Sequence, residues 1–188
     1  IFIQAQKQGK KAALREAILA AKGNLIITTD ADCIPAERWV ETLLAFQIKN
    51  DCDLIIAPVR MTENDTFFSK IESLEFSTLI ASGAGAAGSG MPVMCNGANL
   101  AFRKQSWLDA WPYINLDEMS GDDIFLLLSI KKRGGKIRFL KSENAFVSTK
   151  SAENMAAFFK QRQRWTAKSK SYNDLQIIVV AIVVLLAS

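Results

Sequence analysis

Residues 25–33 read LIITTDADC, an unbroken apolar and β-branched run that stops at two carboxylates, Asp30 and Asp32, one residue apart. A run of this kind between polar stretches marks a strand buried on both faces. Unpaired carboxylates are costly inside a core, so the end that carries them opens on solvent or on a ligand. The two aspartates therefore give the strand an outward end, and chemistry is to be sought there.

The segments around this strand alternate in character. KKAALREAILAAKGN places Ala13, Ala17, Ile18 and Ala21 on one helical face and predicts a helix that stops at Gly23. After the aspartates, Ile34-Pro35 is expected to open a second helix, AERWVETLLAFQIK, with Pro35 in its first turn. DLIIAPVRM then has the pattern of another buried strand. This alternation predicts an α/β fold with a mostly parallel sheet flanked by helices, in which ligands sit beyond the carboxyl ends of the strands. Further on, DTFFSKIESLEFSTLIAS predicts a helix, and GAGAAGSG, with Gly83, Gly85, Gly88 and Gly90, predicts a loop. PVMCNGANLAFRK has the pattern of a strand interrupted at Asn-Gly. GDDIFLLLSIKKRGG is an amphipathic helix with acids in its first turn and Gly134-Gly135 as its stop, followed by the short strands KIRFL and AFVST. Ser151 is the expected cap of a long last helix, AENMAAFFKQRQRWTAKSK.

Composition narrows the chemistry. With 188 residues, 49% of them hydrophobic and 22% charged, the chain suits one core-bearing domain. A net charge of +4, with the basic residues gathered in KRGGKIRFLK and KQRQRWTAKSK, argues against a nucleic-acid partner. There is no histidine, which excludes a histidine-based triad and a histidine-ligated zinc and leaves the proton chemistry to carboxylates. Cys33, Cys52 and Cys95 are odd in number and scattered, as reduced cytosolic thiols would be. The sequence opens on IFIQAQKQGKK without Met or a signal peptide, so the natural N-terminus is expected to lie further upstream. From Ile177 to Ala187 it is wholly apolar, short of the roughly 20 residues that span a bilayer. Because Lys160, Arg162, Arg164, Lys168 and Lys170 precede that run as a cytoplasmic flank, the start of a transmembrane helix is preferred to a buried core element. The expected division is a catalytic domain over 1–170 and a membrane segment beginning over 175–188.

Three groups of residues can carry chemistry. Asp30 and Asp32, at a strand's carboxyl end, form a compact pair of hard oxygen ligands suited to Mg2+ or Mn2+ shared with a phosphate, although aspartates also simply solvate turns. Asp122 and Asp123 complement a helix dipole, and one of them can equally serve as a general base for a hydroxyl. On a helix, Gln161, Arg164 and Trp165 fall at i, i+3 and i+4 and share a face, while Arg162 turns away. An indole beside an amide and a guanidinium suits a sugar ring or a diphosphate, and a Trp at this place also suits a membrane interface.

Together and in this order, GKKAAL, DADC, CNGANLAFRK, GDDIFLL and QRQRW resemble the membrane-associated family 2 glycosyltransferases of the GT-A fold, from about Gln8 to Trp165. The resemblance implies inverting transfer of a sugar from a nucleotide-diphosphate sugar to a hydroxyl of a glycan, polysaccharide or lipid-linked acceptor at the cytoplasmic face of the membrane. It implies that Asp32, with Asp30 assisting, holds Mg2+ or Mn2+ against the diphosphate, that Asp30 also approaches the nucleotide ribose, and that Asp123 is the base. It places Gln161, Arg164 and Trp165 on the diphosphate and acceptor, Lys10 near the nucleotide, and Asn96, Gly97 and Asn99 along the acceptor channel. The doublet here is Gly-Asp-Asp where many relatives have Glu before the catalytic Asp. The family's first strands, with a nucleotide-binding aspartate, have no counterpart in these residues, so this stretch alone is expected to bind its donor weakly and to be inactive. LIITTDADCI also resembles the haloacid-dehalogenase phosphatases, with Asp30 as nucleophile, Asp32 as acid–base and GDD as metal-binding acids. Ile34 stands where that family prefers Thr or Val, and QRQRW has no part in such chemistry.

Overall fold

The structure, a computed structural model, describes residues 9–62, 66–113 and 121–169. In chain order its elements are α1 (Lys10–Ala20), β1 (Leu25–Thr28), β2 (Ile34–Pro35), α2 (Trp39–Asn50), β3 (Leu54–Ile56), β4 (Val59–Thr62), α3 (Phe67–Gly88), β5 (Leu100–Arg103), α4 (Lys104–Ala110), α5 (Asp122–Lys132), β6 (Ile137–Phe139), β7 (Val147–Lys150) and α6 (Met155–Ser169). The apolar run from Ile177 lies outside the described residues; among those described, no helix is long and apolar enough to cross a membrane.

The strands form a four-stranded sheet in the order β1-β5-β3-β6 and a three-stranded sheet in the order β2-β7-β4. Side chains alternate along each strand, which explains why these segments are apolar throughout. Leu54 and Ile56, with Leu100 and Phe102, face Ile18, Trp107, Leu126, Leu127 and Ile130 of the helices on one side. Ile55 and Ala101 face Trp39, Leu43 and Val147 on the other. In the smaller sheet Val59 and Met61 are buried while Arg60 and Thr62 are exposed, so it has one covered face.

The sheet is mixed rather than mostly parallel. β1, β3 and β6 run in one direction, but β5 lies between β1 and β3 and pairs antiparallel with both. In register, Leu100 sits opposite both Thr28 and Ile56, the last residues of β1 and β3. The chain thus enters β5 from the carboxyl ends of its neighbours, which places residues 96–99 on the same edge as Asp30 and Asp32. Apolar periodicity carries no strand direction, so the sequence could not show this reversal.

Three local expectations are corrected. Pro35 does not open α2: it pairs with Val147 in the short β2, four residues before the helix begins. The glycine-rich stretch is not a loop, because α3 continues through Gly83 and Gly85 to Gly88. A helical glycine costs about 0.5–1 kcal/mol relative to alanine, but here small residues let another segment approach closely: a Cβ at Gly83 would stand 2.6 Å from Met94 Cγ. The helix stops instead at Gly90, with φ +79°, where Gly90 N–H donates to Ala87 O at 3.2 Å and Met91 N–H to Ala86 O at 2.9 Å. Finally, Ser151 is buried and bonded to Ser69, and α6 is capped by Asn154, whose Oδ1 accepts from Ala157 N at 2.9 Å.

The loop before β5 is tied down by one side chain. Asn99 is fully buried; its Oδ1 accepts from Trp39 Nε1 at 2.9 Å, and its Nδ2 donates to Pro58 O at 2.7 Å and Ala145 O at 2.8 Å. Replacing Asn99 with Ala strands the Trp39 donor and the Ala145 carbonyl, each worth about 1–3 kcal/mol when left unsatisfied, while Pro58 O keeps only its bond from Val147 N–H at 3.2 Å. Urea denaturation of Asn99→Ala is expected to show a loss of about 3 kcal/mol or more; a loss below about 1 kcal/mol would contradict this role.

Candidate active site

The end of β1 turns sharply. Cys33 N–H donates to Asp30 O at 3.1 Å, so the chain reverses directly after the strand and leaves the Asp32 carboxylate exposed. Asp30 Oδ1 accepts from Lys10 Nζ at 2.7 Å. Lys10 is the first residue of α1, an end where the helix dipole disfavours a cation, and Asp30 offsets that mismatch. Burial works to lower the Lys10 pKa, but the bond to Asp30 and the charges of Asp30, Asp122 and Asp123 outweigh it and hold the pKa above its ordinary value. A single ammonium therefore feels three of the four expected acids.

The second acidic pair begins α5. Asp123 Oδ1 accepts from Ile124 N–H at 2.9 Å, and Oδ2 accepts from Gly97 N–H at 2.9 Å. A Cβ at Gly97 would lie 3.4 Å from Asp123 Oδ2, in ordinary van der Waals contact with the carboxylate. The loop is held from within as well: Ala98 N–H donates to Asn96 Oδ1 at 3.0 Å and Asn99 N–H to Asn96 O at 2.9 Å. On its other side, Thr28 Oγ1 donates to Gly97 O at 3.0 Å, which ties the loop to the last residue of β1. Of the three loop residues expected along an acceptor channel, Asn96 and Gly97 shape this crossing. Asn99 does not present its side chain to a ligand, because all of its amide groups are used inside the core.

α6 reaches the same region along α3. Phe68, Glu72, Glu75 and Phe76 form one stripe of α3: Phe68 meets Phe158 edge-on at 5.6 Å, Glu72 Oε2 accepts from Ala152 N–H at 2.9 Å, Glu75 pairs with Arg162, and Phe76 lies 6.1 Å from Trp165. Trp165 packs on the Val59, Met61, Phe76 and Ala98 cluster, as does Cys33 beside Asp32. The helix carrying QRQRW is thereby brought beside both the aspartate turn and the loop. Arg162 does not turn away. Its guanidinium lies 4.1 Å over the Trp165 ring and 4.7 Å over the Phe158 ring, because residues three and four apart also share a face and Glu75 holds it there. Gln161 is half-buried and accepts from Arg162 at 3.3 Å. The Arg164 side chain lies outside the described residues.

The donor set at β1 fits a hard divalent cation. Among the described residues, no group of three or more acidic or thiol ligands could hold an ion by itself. An ion on Asp30 and Asp32 must therefore complete its shell from diphosphate oxygens and water, which is how Mg2+ is commonly bound. A separate hollow of about 220 Å3, lined by Asp53, Ser106, Asp109 and Arg133, sits at the amino ends of β3 and β6, away from these acids. Sequence reasoning missed Thr28 and the Glu75–Arg162 pair. The α3 stripe at i, i+4, i+7 and i+8 was the available signal for the second, and a hydroxyl two residues before an acid gives none for the first.

Comparison with curated protein sequences gives no match. Among solved structures, glucosyl-3-phosphoglycerate synthase from Mycobacterium tuberculosis in complex with Mn2+ and UDP-glucose aligns with a TM-score of 0.52 and 16% identity over 91% of this chain and 55% of that one. The same enzyme with Mn2+, UDP and glucosyl-3-phosphoglycerate gives 0.49 and 16% over 94% and 55%. The chain thus spans about half the length of these structures, and the first of them shows the fold: mixed sheets flanked by helices, similar to GT-A glycosyltransferases. The family model described as glycosyl transferase family group 2 matches residues 25–187, from the first residue of β1 through α6 and beyond, and the chain belongs to that family.

Proposed function

We propose that this chain carries the catalytic part of an inverting glycosyltransferase. It moves a sugar from a nucleotide-diphosphate sugar to a hydroxyl of a glycan, polysaccharide or lipid-linked acceptor at the cytoplasmic face of a membrane. The observation that carries this reading is the crossing at Gly97, where the strand ending in Asp30 and Asp32 and the helix beginning with Asp122 and Asp123 meet on one loop. Family membership supports it, and the Mn2+ and UDP-glucose in the M. tuberculosis enzyme are the ligand types that such a site would take. No observation favours the phosphatase alternative with Asp30 as nucleophile.

In this mechanism Asp123 accepts the acceptor's hydroxyl proton. The oxygen forms its bond to the anomeric carbon, and the bond from that carbon to the diphosphate breaks, with its electron pair leaving on the phosphate oxygen. Attack from the side opposite the leaving group inverts the configuration. Backbone N–H groups fix the Asp123 carboxylate before the acceptor arrives, so little reorganisation accompanies proton transfer. Asp30 and Asp32 would hold Mg2+ or Mn2+, and that ion would supply charge to offset what develops on the departing diphosphate. Lys10 balances Asp30 when no cation is there. Trp165, aligned by Arg162, and Gln161 flank the acceptor, with Arg164 assigned to the diphosphate. The apolar residues from Ile177 onward would keep the domain at the membrane.

Two measurements follow. In the intact protein in membranes, Asp123→Asn is expected to lower metal-dependent nucleotide diphosphate release by about 10²–10⁴-fold, the usual contribution of a general base. Release unchanged in that variant would contradict the assignment. Titration calorimetry with Mn2+ alone should show Lys10→Met binding the ion roughly fivefold more tightly, because the variant removes a competing cation from Asp30, worth about 1 kcal/mol at an exposed pair. Unchanged or weaker Mn2+ binding would place the ion elsewhere.

A further inference from the structure

Resting on that reading of Asp123, we infer that Thr28 is a positioning residue for the catalytic base, acting through the Gly97 backbone. Gly97 joins two peptide units, and a glycine restrains the rotation between them least of all residues. One unit donates its N–H to Asp123 Oδ2 at 2.9 Å. The other presents Gly97 O, which accepts from Thr28 Oγ1 at 3.0 Å. With both units held, the N–H aimed at Asp123 has one direction. Without Thr28, the carbonyl side of Gly97 loses that hydroxyl anchor at the point where the chain is freest to turn.

The anchor itself is rigid. Thr28 closes the ladder of β1 against β5, opposite Leu100, and its β-branched side chain has few rotamers. The same peptide unit is held at its other end, where Ala98 N–H donates to Asn96 Oδ1 at 3.0 Å, and the buried Asn99 amide fixes the loop further along, but neither bonds to Gly97 O. Thr28 is therefore the side chain outside the loop that anchors this peptide, at its carbonyl, to the strand. It also connects the two halves of the site: a strand that ends in the cation-binding aspartates fixes, two residues earlier, the loop that aims the base. Seating of the diphosphate at Asp30 and Asp32 and aiming of Asp123 then share one support.

The test compares Thr28→Val, which keeps the shape and removes the donor, with Thr28→Ser, which keeps the donor. Both are made in the intact protein in membranes. Loss of one hydrogen bond predicts a fall in kcat of about fivefold for Thr28→Val with donor KM within about twofold, and recovery of most of that loss in Thr28→Ser. Thr62→Val removes a comparable bond, from Thr62 Oγ1 to Thr149 O at 3.1 Å on β4, without touching the loop, and is expected to leave kcat unchanged. If Asp123→Asn abolishes transfer while Thr28→Val turns over like wild type, this inference is overturned and the base assignment stands. Equal falls in Thr28→Val and Thr62→Val would also overturn it, since the effect would then be general weakening of the fold. If Asp123→Asn itself retains full transfer, the base assignment fails and the inference fails with it.

Discussion

The buried amide of Asn99 is the contact on which the rest of the arrangement depends. It bonds to the indole of Trp39 on α2, to Pro58 between β3 and β4, and to Ala145 just before β7, so it ties the larger sheet to the smaller one from inside the core. An amide so placed is stable only when all of its groups are satisfied, and that condition permits one conformation of the chain entering β5. Gly97 lies two residues upstream, so its position beside Asp123 is inherited from the core. The loop before β5 is thus an extension of the packing rather than a free surface segment.

Electrostatics then decides how the site behaves before any ligand binds. Four carboxylates at two chain turns would repel one another if left alone. The structure answers with backbone dipoles at Asp123 and the Lys10 ammonium at Asp30. Backbone N–H groups cannot leave Asp123, which suits a group that must keep its aim. A half-exposed lysine can leave Asp30, which suits a group that exchanges partners. α6 adds an apolar wall whose Trp165 is oriented by Arg162 and Glu75 on α3.

Much of this was legible in the sequence. LII of β3 is continuously apolar because it is buried on both faces, LII of β1 packs half-buried at the sheet's edge, and Asp30 and Asp32 mark the outward end of that first strand. The acids opening α5 were equally plain. Direction and close approach were not. The reversal of β5 leaves no trace in periodicity, and the glycines of α3 have the composition of a loop although Gly83 admits Met94, a contact with a segment remote from any helical pattern. Pro35 had the look of a helix opener but pairs with β7. The family resemblance puts Asn99 along an acceptor channel, and a polar residue near an Asn-Gly pair carries no sign of the burial the structure shows. Thr28 passed as an ordinary strand residue, since its significance lies in a partner 69 positions away.

In the proposed mechanism one site, joined at Gly97, holds the donor's diphosphate at the end of β1 and takes the acceptor's proton at the start of α5. Its most direct test is the structure of the intact protein with Mn2+ and an unreactive nucleotide-sugar analogue, with the ion located by anomalous diffraction. An anomalous peak is expected within coordination distance of Asp32, with the diphosphate on that ion and the Asp123 carboxylate facing the anomeric carbon from the side opposite the diphosphate. A peak away from Asp30 and Asp32, or Asp123 on the same side as the leaving group, would contradict it.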